Sequence, residues 1–271
     1  MHSGGGAMGG VRTAAVAGLF YPDAPAELRA MVDDYLGQAG EGRPPKAIVA
    51  PHAGFVYSGP VAASVYHRLT PVADRISRVV LLGPSHRVAF RGLALSSAQS
   101  FQTPLGEIPL EQVSDELLRL PQLSVNDMAH AQEHSLEVQL PFLQRVLGEF
   151  RLLPIVVGDA SGAEVAEVLE QVWDGEETLI VISSDLSHYH DYLTAQQMDR
   201  TTSDAILALQ PERLHYEDAC GRIPLQGLLE VAQRKGLDGE LVDLRNSGDT
   251  AGLKDRVVGY GAYAFAVHSQ Q

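Results

Sequence analysis

The chain has 271 residues, 45% of them hydrophobic, which suits one large α/β domain better than two small ones. Its 34 acidic and 20 basic side chains give a formal charge of -14, which argues against nucleic acid or an anionic membrane as the main partner. No stretch approaches the roughly 20 apolar residues that are needed to span a bilayer.

The N-terminal end, "MHSGGGAMGG", is rich in glycine and lacks the apolar centre of a signal peptide. We expect residues 1–11 to be a disordered end or a cloning remnant that lies outside the fold. Residues 12–271 are then expected to form the domain.

After this end, short apolar runs alternate with amphipathic segments, which is typical of βαβ units around a buried and largely parallel sheet. In chain order, the apolar runs predict strands at residues 46–50, 78–83, 151–158, 178–183 and 257–267. The amphipathic segments predict helices at residues 25–39, 59–69, 134–147, 163–173, 194–209 and 224–236. Residues 92–110 carry turn signals and predict an antiparallel excursion. The fold class is therefore α/β, with one central, mostly parallel sheet flanked by helices.

Histidines follow three of the predicted strands at the point where each strand ends. His52 comes just after the strand at 46–50, and His86 comes just after the strand at 78–83. Asp185 and His188 follow the strand at 178–183. Because ligands of open α/β sheets bind at the carboxyl ends of the parallel strands, we expect these side chains to converge on one edge.

The residue types at these strand ends suit a metal ion. Two neutral imidazoles and a carboxylate, with positions left open, are what a non-haem Fe(II) site requires, and zinc accepts the same ligands. Asp185 and His188 can act as a pair, because a carboxylate that faces an imidazole fixes its tautomer. The alternative is that Asp185 caps a short helix together with Ser184.

A second cluster has the order H-x-x-E-H, with His130, Glu133 and His134. On one helix this spacing would give the two zinc ligands and the general base of an inverzincin. Against this, residues 125–132 resemble a loop, and Glu133 and His134 can simply begin a helix whose first turn favours acidic residues. We expect the match to be incidental.

Cys220 is the only cysteine, so it cannot form an internal disulfide, and a reducing cytoplasm is the expected compartment. Its thiol precedes a predicted helix, where it can serve as a ligand or nucleophile, or simply be buried. The sequence has no G-x-S-x-G elbow, no P-loop and no G-x-G-x-x-G after a strand. This gives serine hydrolases and nucleotide-binding folds little support.

Seven short motifs occur in an order that points to one family. They are "VAGLFYP", "APHAGFVYSG", "LLGPSH", "TPLG", "EHSLEVQLPFL", "SSDLSHY" and "CGRIPL". Together, over residues 12–268, they resemble the Memo family, the B component of the AmmeMemoRadiSam group. The resemblance implies a mixed sheet related to that of class III extradiol dioxygenases, and a functional link to radical SAM and AMMECR-type proteins.

The resemblance also implies which residues form the site. The metal-site histidines of the family fall on His52 and His86, its further pocket residues fall on Asp185 and His188, and His134 lies in the stretch that resembles its E-H-S motif.

The chain departs from the family at one position of the metal site. In the animal members, a cysteine before the last strand completes the site, whereas here the region reads "RNSGDTAG". Cys220 matches a different cysteine of the family, the one in its C-G-R-x-P motif. Asp249, or with less support Thr250, takes the vacated place, and Asp249 would restore a set of two histidines and one carboxylate. We therefore expect Asp249 to be the third ligand.

These observations give a first hypothesis of a metal-dependent redox enzyme. Its metal is Fe(II), with copper or zinc as alternatives, held by His52, His86 and Asp249. Its candidate catalytic side chains are Asp185, His134 and His188, of which His188 acts as acid or base and His134 positions the substrate. A small molecule or a peptide would occupy the metal pocket.

Two other functions stay open at this point. The fold can keep a metal pocket without ring cleavage and serve as a metal-binding or partner-binding protein, because shared fold does not establish shared chemistry. The third hypothesis is a zinc-dependent hydrolase that uses His130, Glu133 and His134.

Overall fold

The structure is a computed structural model that describes residues 10–268. The disordered end expected for the N-terminus falls largely on residues 1–9, which lie outside the described residues, as do residues 269–271. Within the described part, the first strand begins at Val11 and pairs in parallel with residues 100–101. The fold therefore includes Val11, one residue before the predicted start of the domain.

The elements follow one another along the chain with short connections. The strands are β1 (Val11–Arg12), β2 (Ala47–Ala50), β3 (Arg78–Pro84), β4 (Leu93–Leu95), β5 (Ser100–Thr103), β6 (Gly106–Pro109), β7 (Leu123–Val125), β8 (Arg151–Val157), β9 (Thr178–Ser183), β10 (His188–His190), β11 (Leu237–Asn246) and β12 (Val257–Val267). The α-helices are α1 (Pro25–Gly37), α2 (Phe55–Tyr66), α3 (Asp115–Leu118), α4 (Asp127–Ala131), α5 (His134–Glu137), α6 (Leu140–Leu147), α7 (Gly162–Val172), α8 (Tyr192–Leu207) and α9 (Arg222–Lys235). Short 3₁₀ helices lie at His67–Arg75, Pro211–Arg213 and Ser247–Asp249.

The main sheet has the strand order β10-β12-β2-β9-β3-β8-β4-β7, and β11 also pairs with β12. Its centre, β2-β9-β3-β8, is parallel. Antiparallel strands β12 and β4 flank this centre. The α/β fold with a mixed sheet flanked by helices is therefore confirmed.

The five predicted strands are the apolar runs that become β2, β3, β8, β9 and β12. A parallel strand covered on both faces must be apolar at nearly every position, which makes such runs easy to recognise. Successive residues of β3 illustrate this, because Val79 and Leu81 pack in one core cluster while Val80 and Leu82 pack in the other. The two clusters lie on opposite faces of the sheet.

The segment at residues 92–110 is the excursion that the turn signals predict. It contains β4, which runs antiparallel to β8, and the β5-β6 hairpin, which joins β1 in a small separate sheet.

Two parts of the chain differ from the predicted elements. The single helix predicted over residues 134–147 is two helices, α5 and α6, and Pro141 lies in the first turn of α6, where its missing N–H is tolerated. The sequence does not predict β11, an edge strand rich in charge that is held by antiparallel pairing with β12. Charged side chains on such an edge discourage pairing with another chain. None of the helices within residues 10–268 is long and apolar enough to cross a membrane.

Asp199 of α8 stabilises the connection between β9 and β10 by a hydrogen bond. Its carboxylate accepts the backbone N–H of Ser187 at 3.1 Å. A Cβ at Gly259 of β12 would fall 2.0 Å from the Asp199 carboxylate, so β12 must have glycine at this position. Burial raises the pKa of Asp199 to about 6, against an ordinary value of 3.8.

Asp199→Asn is expected to remove part of the pH dependence of stability. The folded protein holds the Asp199 proton more tightly than the unfolded chain does, so protonated Asp199 stabilises the folded state by about 3 kcal/mol. This stabilisation is complete below about pH 4 and is lost as the pH rises to about 6. The variant should lack this fall in urea unfolding measured from pH 4 to pH 7. Asp204→Asn, an exposed change on the same helix, should keep it, and an unchanged fall in Asp199→Asn would contradict the assignment.

Candidate metal centre

Three histidine rings meet at the carboxyl edge of the sheet. His52 and His86 follow the parallel strands β2 and β3, as predicted, and their ring centroids are 5.2 Å apart. His134, the first residue of α5, adds a third ring, 5.4 Å from that of His52 and 4.5 Å from that of His86. One ring nitrogen from each residue lies within 4.8 Å of the others. These three histidines can therefore hold a metal ion.

Hydrogen bonds fix the tautomer of His52, whose side chain is buried. Its Nδ1 lies 2.8 Å from the hydroxyl of Ser183, the last residue of β9. The one proton of that hydroxyl goes to the Ser135 carbonyl at 2.6 Å, and the amide of Gln139 also donates to the hydroxyl, at 2.9 Å. Because the hydroxyl has no proton left to give, His52 Nδ1 must be the donor. Nε2 therefore carries the free lone pair that a metal needs.

The orientation of the Gln139 amide supports this assignment. Its Nε2 also donates to the Pro51 carbonyl at 3.0 Å, and its Oε1 accepts the hydroxyl of Tyr66 at 2.6 Å. The reverse orientation would set the amide oxygen against a carbonyl, so the nitrogen must face Ser183. Tyr66 and Gln139 thus hold the hydrogen-bond chain that ends on His52.

Glu133 holds His86 in a similar way. The carboxylate accepts His86 Nδ1–H at 2.9 Å, and its other oxygen accepts the His86 backbone N–H. It also caps α5 by accepting the N–H of Ser135 at 2.9 Å. Burial opposes ionisation of Glu133, but the bonds from His86 and Ser135 outweigh it and lower its pKa to about 2. A carboxylate that is always ionised keeps the proton of His86 on Nδ1 and leaves Nε2 free.

His134 stacks between two rings, with Phe20 on one side at 4.5 Å and His86 on the other. Burial lowers the pKa of His134, and the neighbouring His86 ring lowers it further. The same two causes lower the pKa of His52 well below its usual range. Both rings are therefore neutral at physiological pH, which is the form that binds metals.

Asp185 and Cys220 lie beside His52 and form a second group with it that can hold a metal. Cys220 Sγ is 3.2 Å from His52 Nε2, and the nearer Asp185 oxygen to that nitrogen is at 3.8 Å. The other Asp185 oxygen accepts the His52 backbone N–H at 2.8 Å. Burial raises the pKa of both Asp185 and Cys220. Because both groups share His52, an ion bound by the histidines would have this carboxyl and this thiol nearby.

The structure does not bring Asp249 to this cluster. Asp249 is exposed in the 3₁₀ turn at Ser247–Asp249, where one oxygen accepts the Tyr192 hydroxyl and the other accepts the N–H of Asn246 at 3.0 Å. Neither of the two metal-capable groups among the described residues contains it. Asn246 and Asp249 instead form a capping box at this turn. His134 is instead the third member of the histidine group that could hold an ion.

The H-x-x-E-H residues are likewise separated. His130 lies in α4, and the helix ends before Glu133, whose extended backbone starts α5. The buried ring of His130 forms a hydrogen bond with the Ala94 carbonyl at 2.9 Å, away from the three clustered histidines. The arrangement of two ligands on one helix face, which the zinc hydrolase hypothesis needs, is absent from this described segment. Glu133 acts on His86 instead.

A cavity of about 830 Å³ opens next to the histidine cluster. His86 and Cys220 line it on the side of the metal centre, and His188 lines it from β10. His188 is followed by Tyr189, whose φ of 67° is unusual for a residue with a side chain and whose ring is exposed. The predicted site residue His188 therefore reaches the same space as His86.

The sequence pattern did not reveal the residues that orient the histidines. Ser183 ends an apolar run, and Gln139 lies inside a predicted helix, so neither differs from an ordinary buried polar residue. The one available signal was the position of Ser183 at a strand end beside that of His52, since Ala50 and Ser183 are paired in the sheet register.

Glu133→Gln is expected to weaken metal binding by roughly 10- to 100-fold, the usual loss when a bond that orients a ligand is removed. All the groups that contact this carboxylate donate, so the new amide must place its NH₂ against one of these donors. Anaerobic titration with Fe(II) or Zn²⁺ would measure the effect. Glu164→Gln, the same change in the capping box of α7, is the matched control and should bind metal normally. Unchanged affinity in Glu133→Gln would contradict this role.

The mixed sheet and the histidine cluster at its carboxyl edge define a protein with the class III extradiol dioxygenase-like fold and a candidate metal centre. The family model described as Memo-like protein matches residues 12–264, and the chain belongs to this family.

Curated relatives cover nearly the whole chain. A MEMO1 family protein of Aquifex aeolicus is 38% identical over 263 residues, covering 92% of this chain and 97% of its own length. One of Methanococcoides burtonii is 38% identical over 268 residues, covering 93% of this chain and 98% of its own length. One of Methanopyrus kandleri is 35% identical over 279 residues, covering 94% and 98%.

Proposed function

We propose that this protein is a metal-dependent redox enzyme that binds one divalent ion at His52, His86 and His134 and a small-molecule ligand in the adjoining cavity. Fe(II) is the first candidate for the ion, with copper and zinc as alternatives, since imidazole suits all three. The convergence of three ring nitrogens beside an open cavity of about 830 Å³ carries the proposal.

The ion would supply a Lewis-acid and redox centre with positions open to ligands. The residues of the chain prepare the site for it. Ser183 and Glu133 keep the ring protons of His52 and His86 on Nδ1, which leaves the lone pair of each ring on Nε2. An ion at His52 Nε2 would replace the contact of this nitrogen with the Cys220 thiol. His52 is buried while His86 faces the cavity, so a ligand reaches the site from the side of His86.

Asp185 and His188 are proposed to handle the proton of an acidic substrate hydroxyl. Burial raises the pKa of Asp185 and favours its protonated form, while a charge on His188 would favour its ionised form. The Asp185 carboxyl would hold a proton beside His52, and His188 would face the substrate hydroxyl from the cavity wall. The cavity walls would orient the substrate.

Anaerobic purification with elemental analysis, followed by oxygen uptake with a panel of catechols, tests the proposal. We expect about one ion per chain and oxygen uptake that requires Fe(II). His52→Ala should abolish both, whereas His268→Ala, at an exposed histidine after β12, should abolish neither. Metal binding without oxygen uptake for any catechol would overturn the enzyme reading in favour of a metal-binding protein that acts with radical SAM and AMMECR-type partners.

A further inference from the structure

Arg222 is a charged side chain in the cavity wall that the metal centre does not use. It is half-buried at the first position of α9 and lines the cavity together with Cys220 and His188. Among the described residues, its guanidinium has no hydrogen bond and no carboxylate within 4 Å. By contrast, Arg12 and Arg78, whose side chains are buried, each pair with a glutamate.

The position of Arg222 in its helix also disfavours a cation. The N-terminus of a helix carries partial positive charge, which repels a guanidinium and attracts an anion. Its place near the metal centre follows from Cys220, two residues earlier, whose Sγ is 3.2 Å from His52 Nε2. The acidic residues of the same cavity, Asp159 and Glu217, are exposed and do not pair with Arg222. The wall therefore has a cation without a partner within the chain.

We propose that Arg222 binds the carboxylate of a small organic acid, so that the cavity selects acids over neutral ligands. A guanidinium presents N–H donors in a fork that matches the two oxygens of a carboxylate. The inference rests on the proposed function in placing this acid beside the metal ion. Its anion selectivity, however, belongs to Arg222 and does not require the ion.

Benzoate and benzamide are suitable probes, because they have the same shape and differ in charge. We expect both the metal-free and the Fe(II)-loaded protein to bind benzoate roughly 10-fold or more tightly than benzamide, as measured by anaerobic NMR titration. Arg222→Gln should remove this preference, and Arg222→Lys should keep part of it. Arg256→Gln removes the same charge from an exposed arginine stacked on Tyr189 at the cavity, and it should keep the preference in full.

Comparison of the metal-free and the Fe(II)-loaded protein shows whether Arg222 or the ion causes the preference for benzoate. If benzoate were preferred only with Fe(II) present, and still preferred in Arg222→Gln, the acid would bind the ion and the inference would be overturned. Equal binding of the two probes by the unaltered protein would overturn it as well. Failure of the protein to bind any metal would refute the proposed function, while a preference for benzoate in the metal-free protein would still support Arg222. Thermal unfolding of each variant checks that the wall remains folded.

Discussion

His52→Ala is expected to lose more metal affinity than the roughly 10- to 100-fold that removal of an orienting partner costs. Within residues 10–268, His52 is the one residue that belongs to both metal-capable groups, so its loss leaves neither complete. Anaerobic titration with Fe(II) and with Zn²⁺ measures the affinity, and circular dichroism shows whether the variant is folded.

A second variant separates loss of the ligand from damage to the fold. Ser183→Ala keeps the His52 ring but removes the acceptor for its Nδ1 proton, so it should weaken binding by roughly 10- to 100-fold. His268→Ala removes an exposed imidazole and should bind metal like the unaltered protein. If folded His52→Ala bound either ion as tightly as the parent, the centre would lie elsewhere.

Arg12→Met is expected to destabilise the fold by about 3–5 kcal/mol, the usual result of breaking a buried ion pair. Arg12 and Glu137 are joined at 2.5 Å, and their side chains are 9% and 0% exposed. The guanidinium also donates to the carbonyls of His130 and Glu133, both at 2.8 Å. Methionine would remove the guanidinium from these carbonyls and would leave the buried Glu137 carboxylate without its cation, with the N–H groups of Ala15 and Val16 and the Tyr21 hydroxyl as its remaining donors.

Arg12→Met is also expected to weaken metal binding. The carbonyls that Arg12 holds belong to the loop that carries Glu133 and leads into His134, so a looser loop should weaken metal binding. Urea unfolding of the metal-free protein measures the stability, and titration measures the affinity. Arg145→Met breaks an exposed pair with Asp33 and should cost no more than about 1 kcal/mol. A similarly small cost for Arg12→Met would contradict the prediction.

The positions of His52 and His86 could be predicted because they depend on a local pattern. Each follows an apolar run, and parallel strands that are covered on both faces end at one edge of the sheet. The third member of the cluster was harder to predict. His134 belongs to a helix rather than to a strand end, and its approach depends on the packing of α5 against β3.

Asp249 shows why a gap in a motif is difficult to fill from sequence. The sequence suggests the carboxylate of this loop as the third metal ligand, but a loop rich in small residues can bend in several directions. In the structure, the backbone N–H of Asn246 and the hydroxyl of Tyr192 donate hydrogen bonds to the Asp249 carboxylate. Local hydrogen bonds decided its direction, and residue type alone does not encode them.

The sequence by itself determined the class of fold, the buried strands and the edge at which the histidines collect, because apolar runs and strand ends are local properties of the chain. Only the tertiary structure decided which imidazole nitrogens are free to bind a metal. That choice depends on Ser183, Gln139 and Glu133, which come from distant segments and act through hydrogen bonds within about 3 Å. Proton positions follow from such contacts, and these contacts exist only after the sheet and the helices around it have packed together.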